Sequence, residues 1–524
     1  MALKLSLLPT DQKVDQPPEL DLAKVKAALA ELRYVEQPVD SARAIRAALD
    51  RLNRFKIDPT VRWHLLEEYF AAASGSWTQL DAVYADVNHP MTGDPLAAAE
   101  VSLAVATALA MGYKRILGDI TRMRLGFGLS KVPAHLIHRC QQSLARILAV
   151  SYLSFRPVPP NTWFEMHQIY LLARESGIAS TPYSDHTPGF TPEVGYIQVL
   201  LLALANPYGF LPGQISLALT FLGDYAHLAS LSDTTPVHRM ASALAVIPIS
   251  SDQPPIAARK VDVPENANAL YLHCHDVVFA VNRHVQELEA GTAWPAAAVA
   301  DSVSQAQYLN FVERLLREWG VSPTRQENRP AGDRRVALCA GLGSIFRAML
   351  ELRGSRRRSP ASLSAPAPAG GIEPVPRVYC TVLNQTDGGS ALRLDAGQSD
   401  VALRVGEPVG LLDPRLRRVP VAVVRWLRFD AKSNQMRFGI EVLSTGAELT
   451  KVSVPSRAGE EFPAIVLPPA VLTDEYSTLV VAPETLQSDL EVLVGTGADA
   501  ETVIVTRLIE QTLGFERYEF IPVE

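Results

Sequence analysis

The spacing of apolar residues changes once along this 524-residue chain, and the change separates a helical part from a β-rich part. Up to about residue 320, apolar residues recur every three or four positions, for example at 22–32 and 217–231. That period places them on one face of an α-helix. After residue 320, short apolar runs alternate with Pro, Gly and Asp, which is typical of strands joined by turns. The sequence therefore predicts an α+β multidomain protein whose all-α domain comes first.

Two aromatic boxes recur in the helical part. Residues 77–84 and 163–170 both read Trp-x-x-Leu/Met-x-x-x-Tyr, which resembles the first helix of a tetratricopeptide unit. The boxes start 86 residues apart, at Trp77 and Trp163, which is not a multiple of the roughly 34-residue tetratricopeptide period. We therefore predict that residues 1–320 form an irregular helical-repeat platform for a protein partner. A plain helical bundle with these aromatic residues in its core is the alternative.

A polar turn that ends in glycine lies between two strand-like runs at 378–383 and 391–394. Asn384 and Thr386 offer side-chain donors and acceptors, and Gly389 allows close approach of the backbone to a ligand. Alone, such a sequence is more often a plain hairpin turn.

Arginine is concentrated just before this turn. Residues 321–360 contain nine arginines and no lysine, against three acidic residues. An arginine run is more often a solvated surface, but the guanidinium fork also fits phosphate and the edge of guanine. The turn and the arginines together predict a site for a small nucleotide with two negative charges.

The turn, residues 403–412 and two strand-like runs at 421–427 and 438–443 together resemble the PilZ domain, the bacterial receptor family for cyclic di-GMP. That family has an Arg-x-x-x-Arg arm followed by an Asp/Asn-x-Ser-x-x-Gly turn on a small β-barrel. The resemblance covers residues 321–445. It implies that cyclic di-GMP is bound by Arg325, Arg329, Asn384, Thr386 and Gly389.

This chain departs from the family pattern at two points. Thr386 stands where the family usually has Ser, which keeps the hydroxyl group. A helical pattern at 342–352 and a linker at 353–372 also separate the first strand of the barrel, 336–340, from the turn.

Two arginine pairs have the spacing of the arm. Arg325 and Arg329 precede the first strand, whereas Arg353 and Arg357 lie closer to the turn but have no strand-like run directly after them. We favour Arg325 and Arg329, and the second pair stays open.

Residues 446–524 predict a further carboxy-terminal β module, which fits a second small barrel packed on the first. Their sequence indicates no chemistry of its own.

Composition narrows the classes of partner and compartment. The net charge of -7 and the pI near 5.9 oppose DNA or RNA binding, because affinity for a phosphate backbone requires a broad basic face.

The longest apolar stretch, 194–223, is interrupted by Asn206-Pro207 and Pro212-Gly213, so we predict a buried helical hairpin and no membrane span. The amino terminus lacks the basic region of a signal peptide, and the four cysteines lack paired spacing. These features predict a cytoplasmic protein.

Motifs for catalysis and metal binding are incomplete. Gly341-Leu342-Gly343 lacks the third glycine of a dinucleotide-binding loop, and the neighbouring His273, Cys274 and His275 would point about 100° apart on a helix. We therefore predict no catalytic residues, no metal and no cofactor.

The sequence predicts a non-enzymatic cyclic di-GMP receptor or effector that signals to a protein partner through its helical region. The alternative is a helical-repeat adaptor whose degenerate barrel does not bind nucleotide.

Overall fold

The computed structural model describes residues 4–7, 17–32, 35–127, 133–183, 189–234, 243–260, 268–292, 303–320, 333–357, 375–386, 388–395, 397–398, 402–413, 418–430, 435–455, 460–469, 476–495 and 500–523. Within these ranges the protein is a mixed α+β chain, in which a helical region is followed by two six-stranded closed β-barrels. This arrangement confirms the predicted fold class.

The helical region contains ten α-helices among the described residues. They are α1 (Leu22–Glu31), α2 (Pro38–Arg54), α3 (Pro59–Tyr84), α4 (Gly93–Phe127), α5 (Ala134–Leu153), α6 (Thr162–Glu175), α7 (Pro192–Leu204), α8 (Gln214–Tyr225), α9 (His275–Glu289) and α10 (Gln305–Trp319).

Local sequence explains where several of these helices begin. Asp21 and Asp58 cap α1 and α3 by accepting hydrogen bonds from backbone N–H groups of the first turn. Ser304 and Gln307 form a reciprocal capping box at the start of α10.

Helix α4 lies at the centre of the helical region and contacts α2, α3 and α5. A single buried cluster extends from Val25 to Trp319 and includes both aromatic boxes. Helices α3 and α4 are 26 and 35 residues long, longer than the helices of a two-helix unit of about 34 residues. The packing is therefore that of an irregular helical assembly.

The predicted interruption of the apolar stretch at 194–223 is confirmed. Helices α7 and α8 are separated by a short 3-10 helix, Pro207–Gly209, and contact each other. In the described part of the chain, one helical segment, Gly93–Thr121, is long and apolar enough to cross a membrane, and 61% of its most apolar window is buried inside the protein. Core helices meet the same criteria.

The helical region also holds a small antiparallel sheet that the apolar pattern does not predict. Its strands are β1 (Ser230–Ser232), β2 (Leu244–Ile247), β3 (Ile256–Ala257) and β4 (Leu270–His273), in the order β1-β4-β2-β3. Each strand has at most four residues, which is too short for a period of two to be visible.

The first barrel consists of β5 (Arg335–Ala340), β6 (Val378–Thr386), β7 (Gly389–Leu394), β8 (Pro408–Leu412), β9 (Val421–Asp430) and β10 (Gln435–Ser444). The strands close in the order β10-β7-β6-β5-β8-β9, and every pairing is antiparallel. The inserted helix α11 (Leu342–Arg357) packs against β5 and β8. Because α11 continues to Arg357, residues 353–357 are helical and the predicted linker cannot begin at 353.

The second barrel consists of β11 (Glu448–Ser453), β12 (Glu461–Leu467), β13 (Thr478–Val481), β14 (Leu490–Val494), β15 (Glu501–Gln511) and β16 (Glu516–Pro522), closed in the order β11-β12-β13-β16-β15-β14. A buried cluster that includes Ile345 of α11, Val423, Val480 and Phe515 joins the two barrels. The expectation of a second barrel packed on the first is confirmed.

Candidate functional site

The predicted polar turn is a tight β-hairpin between β6 and β7. Thr386 pairs with Gly389, and Asn384 and Thr386 belong to β6. The Thr386 hydroxyl donates to the Gly389 carbonyl oxygen at 3.3 Å, and Asn384 is half-buried opposite Ala391. The structure thus brings three of the five predicted binding residues together at one end of the hairpin.

Gly389 has a structural reason to be glycine. Its strand β7 approaches β10 so closely that a Cβ atom at this position would overlap the carbonyl oxygen of Ile440. Its φ angle is not in the left-handed region, so the close approach explains the residue.

Four arginines lie in one row on the outer surface of the first barrel. Side chains alternate along a strand, and Leu392, Phe438 and Leu427 point into the core, so their neighbours in sequence point outwards. The register then aligns outward-facing residues across β5, β6, β7, β10 and β9. In strand order they are Arg335, Thr381, Arg393, Arg437 and Arg428, and we call the four arginines the arginine row.

Two members of the arginine row have partners that hold them. The Arg335 Nε atom lies 2.8 Å from a carboxylate oxygen of Asp395, and its guanidinium carbon lies 4.8 Å from the centre of the Tyr379 ring. Arg428, at the other end, lies over the ring of Tyr208 in the helical region.

The central members, Arg393 and Arg437, are directly opposite each other on β7 and β10. Neither makes a side-chain hydrogen bond or an ion pair with any residue that the structure describes. Like charges directly opposite each other in a sheet destabilise it by about 0.2 to 1 kcal/mol. A bound anion would relieve this repulsion, which makes the pair a candidate contact for phosphate.

A second row, with two small residues at its centre, runs beside the arginine row. Asn384, Ala391, Gly439 and Trp426 are neighbours in register on β6, β7, β10 and β9. The indole of Trp426 covers Gly439 so closely that a Cβ atom there would overlap the ring, and Ala391 is only 5% exposed. A half-buried indole over a flat surface is a suitable stacking partner for a nucleobase, because every base has a π-face.

The two candidate arms differ in what the structure shows. Arg325 and Arg329 lie outside the described residues. Arg353 lies on α11 and donates from Nη2 to the carbonyl oxygen of Leu449 at 2.7 Å, which directs it to the second barrel. The side chain of Arg357 is outside the described part.

The sequence pattern did not identify Arg393, Arg437, Arg428 or Trp426. They lie on β7, β9 and β10 among other polar and apolar residues, without a distinctive local signal. Only the register between strands places them side by side.

His273 ends β4, Cys274 follows it and His275 begins α9, so the three residues do not share a helix as expected. His273 Nε2 lies 2.9 Å from the Ser232 hydroxyl, and burial raises the pKa of the Cys274 thiol to about 12. Across the described ranges, no three or more His, Cys, Asp or Glu side chains are grouped to hold a metal ion.

Two comparisons relate this chain to known proteins. Residues 23–236 match the family model of the N-terminal domain of the cyclic-di-GMP receptor FimW. Most of the chain is similar to the cyclic-di-GMP receptor FimW of Pseudomonas aeruginosa, with 22% identity over 540 residues that cover 92% of this chain and 87% of that protein. The family match lies in the helical region, and the longer alignment extends into the barrels. The family match therefore relates the helical region to a cyclic-di-GMP receptor, and the longer alignment extends this similarity to most of the chain.

Proposed function

We propose that this protein is a receptor for cyclic di-GMP and that the outer surface of the first barrel, a PilZ-like domain, binds the nucleotide. The observation that carries the proposal is the facing pair Arg393 and Arg437, which lacks counter-charges in the described structure and lies beside Trp426 and the Asn384 hairpin. The similarity to a cyclic-di-GMP receptor supports this choice of ligand.

The chemistry of the ligand matches the two rows. Cyclic di-GMP carries two phosphates and two guanines, so it needs cations, stacking surfaces and hydrogen-bonding edges within a small area. Arg393 and Arg437 face the phosphates, Trp426 stacks on a guanine, and Asn384 and Thr386 offer polar contacts. Arg325 and Arg329 supply further cations for the nucleotide.

The proposal assigns binding rather than catalysis to this surface, with no cofactor. We further propose that the protein acts in the cytoplasm and that the helical region presents the bound state to a protein partner. The rival proposal is an adaptor whose barrel no longer binds nucleotide. It is favoured by Gly389, whose presence is explained by strand packing without a ligand.

Isothermal titration with cyclic di-GMP separates the two proposals. The wild-type chain should bind, and the double variant Arg393→Ala/Arg437→Ala should bind at least about 100-fold more weakly, because each charged contact contributes roughly 1.5 to 3 kcal/mol. The matched control is Arg507→Ala on the second barrel, where the arginine is paired with Glu519. It should leave affinity unchanged. Equal affinity of the double variant and the wild type would remove the site from this surface.

A further inference from the structure

Tyr208 joins the helical region to the first barrel. It lies in the 3-10 helix Pro207–Gly209 and packs against the buried clusters of both parts. Its hydroxyl donates to the Arg156 carbonyl oxygen at 2.6 Å, and its ring meets Tyr152 edge to face at 5.3 Å. These contacts fix the orientation of the ring.

The face of this ring carries the last member of the arginine row. The guanidinium carbon of Arg428 lies 4.9 Å from the centre of the Tyr208 ring, within the range of a cation–π interaction. Burial raises the pKa of the Tyr208 hydroxyl to about 12, although Arg428 opposes the shift, so the ring is neutral at physiological pH. Because the ring is neutral, it contacts Arg428 without forming an ion pair with it.

Arg428 is also the cross-strand neighbour of Arg437. An exposed arginine beside another cation would swing away into water, because separation lowers their repulsion. The aromatic ring opposes that movement and holds the guanidinium at the barrel surface.

The backbone next to Arg428 is attached to the helical region as well. The N–H of Phe429 donates to the carbonyl oxygen of Phe155 at 2.7 Å. Phe155 has a φ angle of 52°, which is costly for a bulky residue and persists only where surrounding contacts hold it. Strand β9 is thus fixed against the helices at the position where the arginine row ends.

We propose that Tyr208 is a positioning residue for the nucleotide site, which holds Arg428 beside Arg437 so that the helical region completes a site carried by the first barrel. This inference rests on the proposed function. Ligand binding is then coupled to the contact between the helical region and the first barrel. Because coupling between two equilibria is reciprocal, a ligand that uses the positioned Arg428 also tightens the contact between helices and barrel.

A double-mutant cycle in the full chain tests the inference by titration with cyclic di-GMP at fixed ionic strength. Tyr208→Phe keeps the ring and loses only the hydroxyl, so it should lose less affinity than Tyr208→Leu does. Tyr208→Leu should bind about threefold to tenfold more weakly, as expected for loss of a cation–π contact that pre-orders an arginine. In the Arg428→Ala background, Tyr208→Leu should cause no further loss. If circular dichroism shows that Tyr208→Leu is unfolded, Tyr208→Met, which fills more of the space of the ring, replaces it in the cycle.

The outcomes separate this inference from the proposed function. Wild-type affinity in Tyr208→Leu would overturn the positioning role. An equal loss of affinity with and without Arg428 would also overturn it, because an effect that does not depend on Arg428 is merely structural. If the wild-type chain does not bind, or if Arg393→Ala/Arg437→Ala binds normally, the proposed function itself is wrong.

Discussion

The two barrels share one architecture and differ in the charges on their outer surfaces. Both are closed, six-stranded and antiparallel. On the second barrel, Arg507 is paired with Glu519 and Lys451 with Glu461 across neighbouring strands. On the first barrel, Arg393 and Arg437 face each other without such partners in the described structure. The difference shows that two barrels of the same fold can present different charges to a ligand, so the fold alone does not identify a binding site.

The second barrel supports the first through one arginine. Arg425 is the extra residue of a β-bulge in β9, and its guanidinium bonds to Glu441 of β10 and to Glu510 of the second barrel. Burial alone would lower the pKa of Arg425, but the carboxylates of Glu510 and Glu441 raise it above its ordinary value. This bulge directly precedes Trp426, so the contact fixes the strand that presents the indole.

The largest expected effect concerns Arg325 and Arg329. These residues come directly before the first barrel in the sequence, so their replacement tests whether nucleotide binding belongs to that barrel. Arg325→Ala/Arg329→Ala should weaken cyclic di-GMP binding by at least about 100-fold, since two charged contacts of roughly 1.5 to 3 kcal/mol each are lost. Titration calorimetry measures it, and thermal unfolding shows whether the variant is folded. The matched pair Arg353→Ala/Arg357→Ala should bind normally, because Arg353 is directed to the second barrel. A reversed result would make the second pair the arm.

Protonation of histidines at acid pH should destabilise the helical region and not the two barrels. All eleven histidines lie before residue 285, and neither barrel has one. Burial lowers the pKa of His89 and of His167 from 6.5 to about 4. The unfolded chain binds these protons near pH 6.5 and the folded chain only near pH 4, so stability falls as the pH drops through that window. Between pH 7.5 and 5 the loss should be about 2 kcal/mol per histidine.

Urea unfolding followed by circular dichroism at the two pH values measures this loss. In His167→Gln, which cannot titrate, the difference between pH 7.5 and 5 should shrink by about 2 kcal/mol. An unchanged difference would show that His167 does not contribute to the acid sensitivity.

A smaller effect should distinguish the surface of the first barrel from an ordinary sheet. Gly439→Ala places a methyl group where the Trp426 ring lies, so it should destabilise the protein by about 1 to 3 kcal/mol and weaken nucleotide binding by displacing the indole. Gly388→Ala is the matched control, because a Cβ atom there meets nothing within 4 Å. Chemical denaturation and titration report the two effects. If both variants have the same stability and the same nucleotide affinity, Trp426 has no role in nucleotide binding.

Much of the fold could be predicted from the sequence, because long helices and apolar strands leave periodic patterns. The strands β6, β9 and β10 contain the predicted runs. In the second barrel, β11 (Glu448–Ser453) and the first half of β16 (Glu516–Pro522) are rich in polar residues, so no long apolar run marks them.

The candidate site could be predicted only in part. Asn384, Thr386 and Gly389 are close in sequence, so a local motif identifies them. Arg393 and Arg437 become neighbours only through the register of β7 and β10, which is a long-range property that no local pattern contains.

The position of β5 in the first barrel has a consequence for how the chain is made. β5 lies between β6 and β8, with Arg335 opposite Thr381 and Ala337 opposite Leu412. A ribosome therefore releases β5 well before either partner, and the apolar strand has to wait until α11 and the following segment have been synthesised. Barrels with such distant pairings fold slowly, and their unpaired strands are prone to aggregation meanwhile. An expression fragment that begins after Ala340 would lack the strand that closes the ring, as well as Arg325, Arg329 and Arg335.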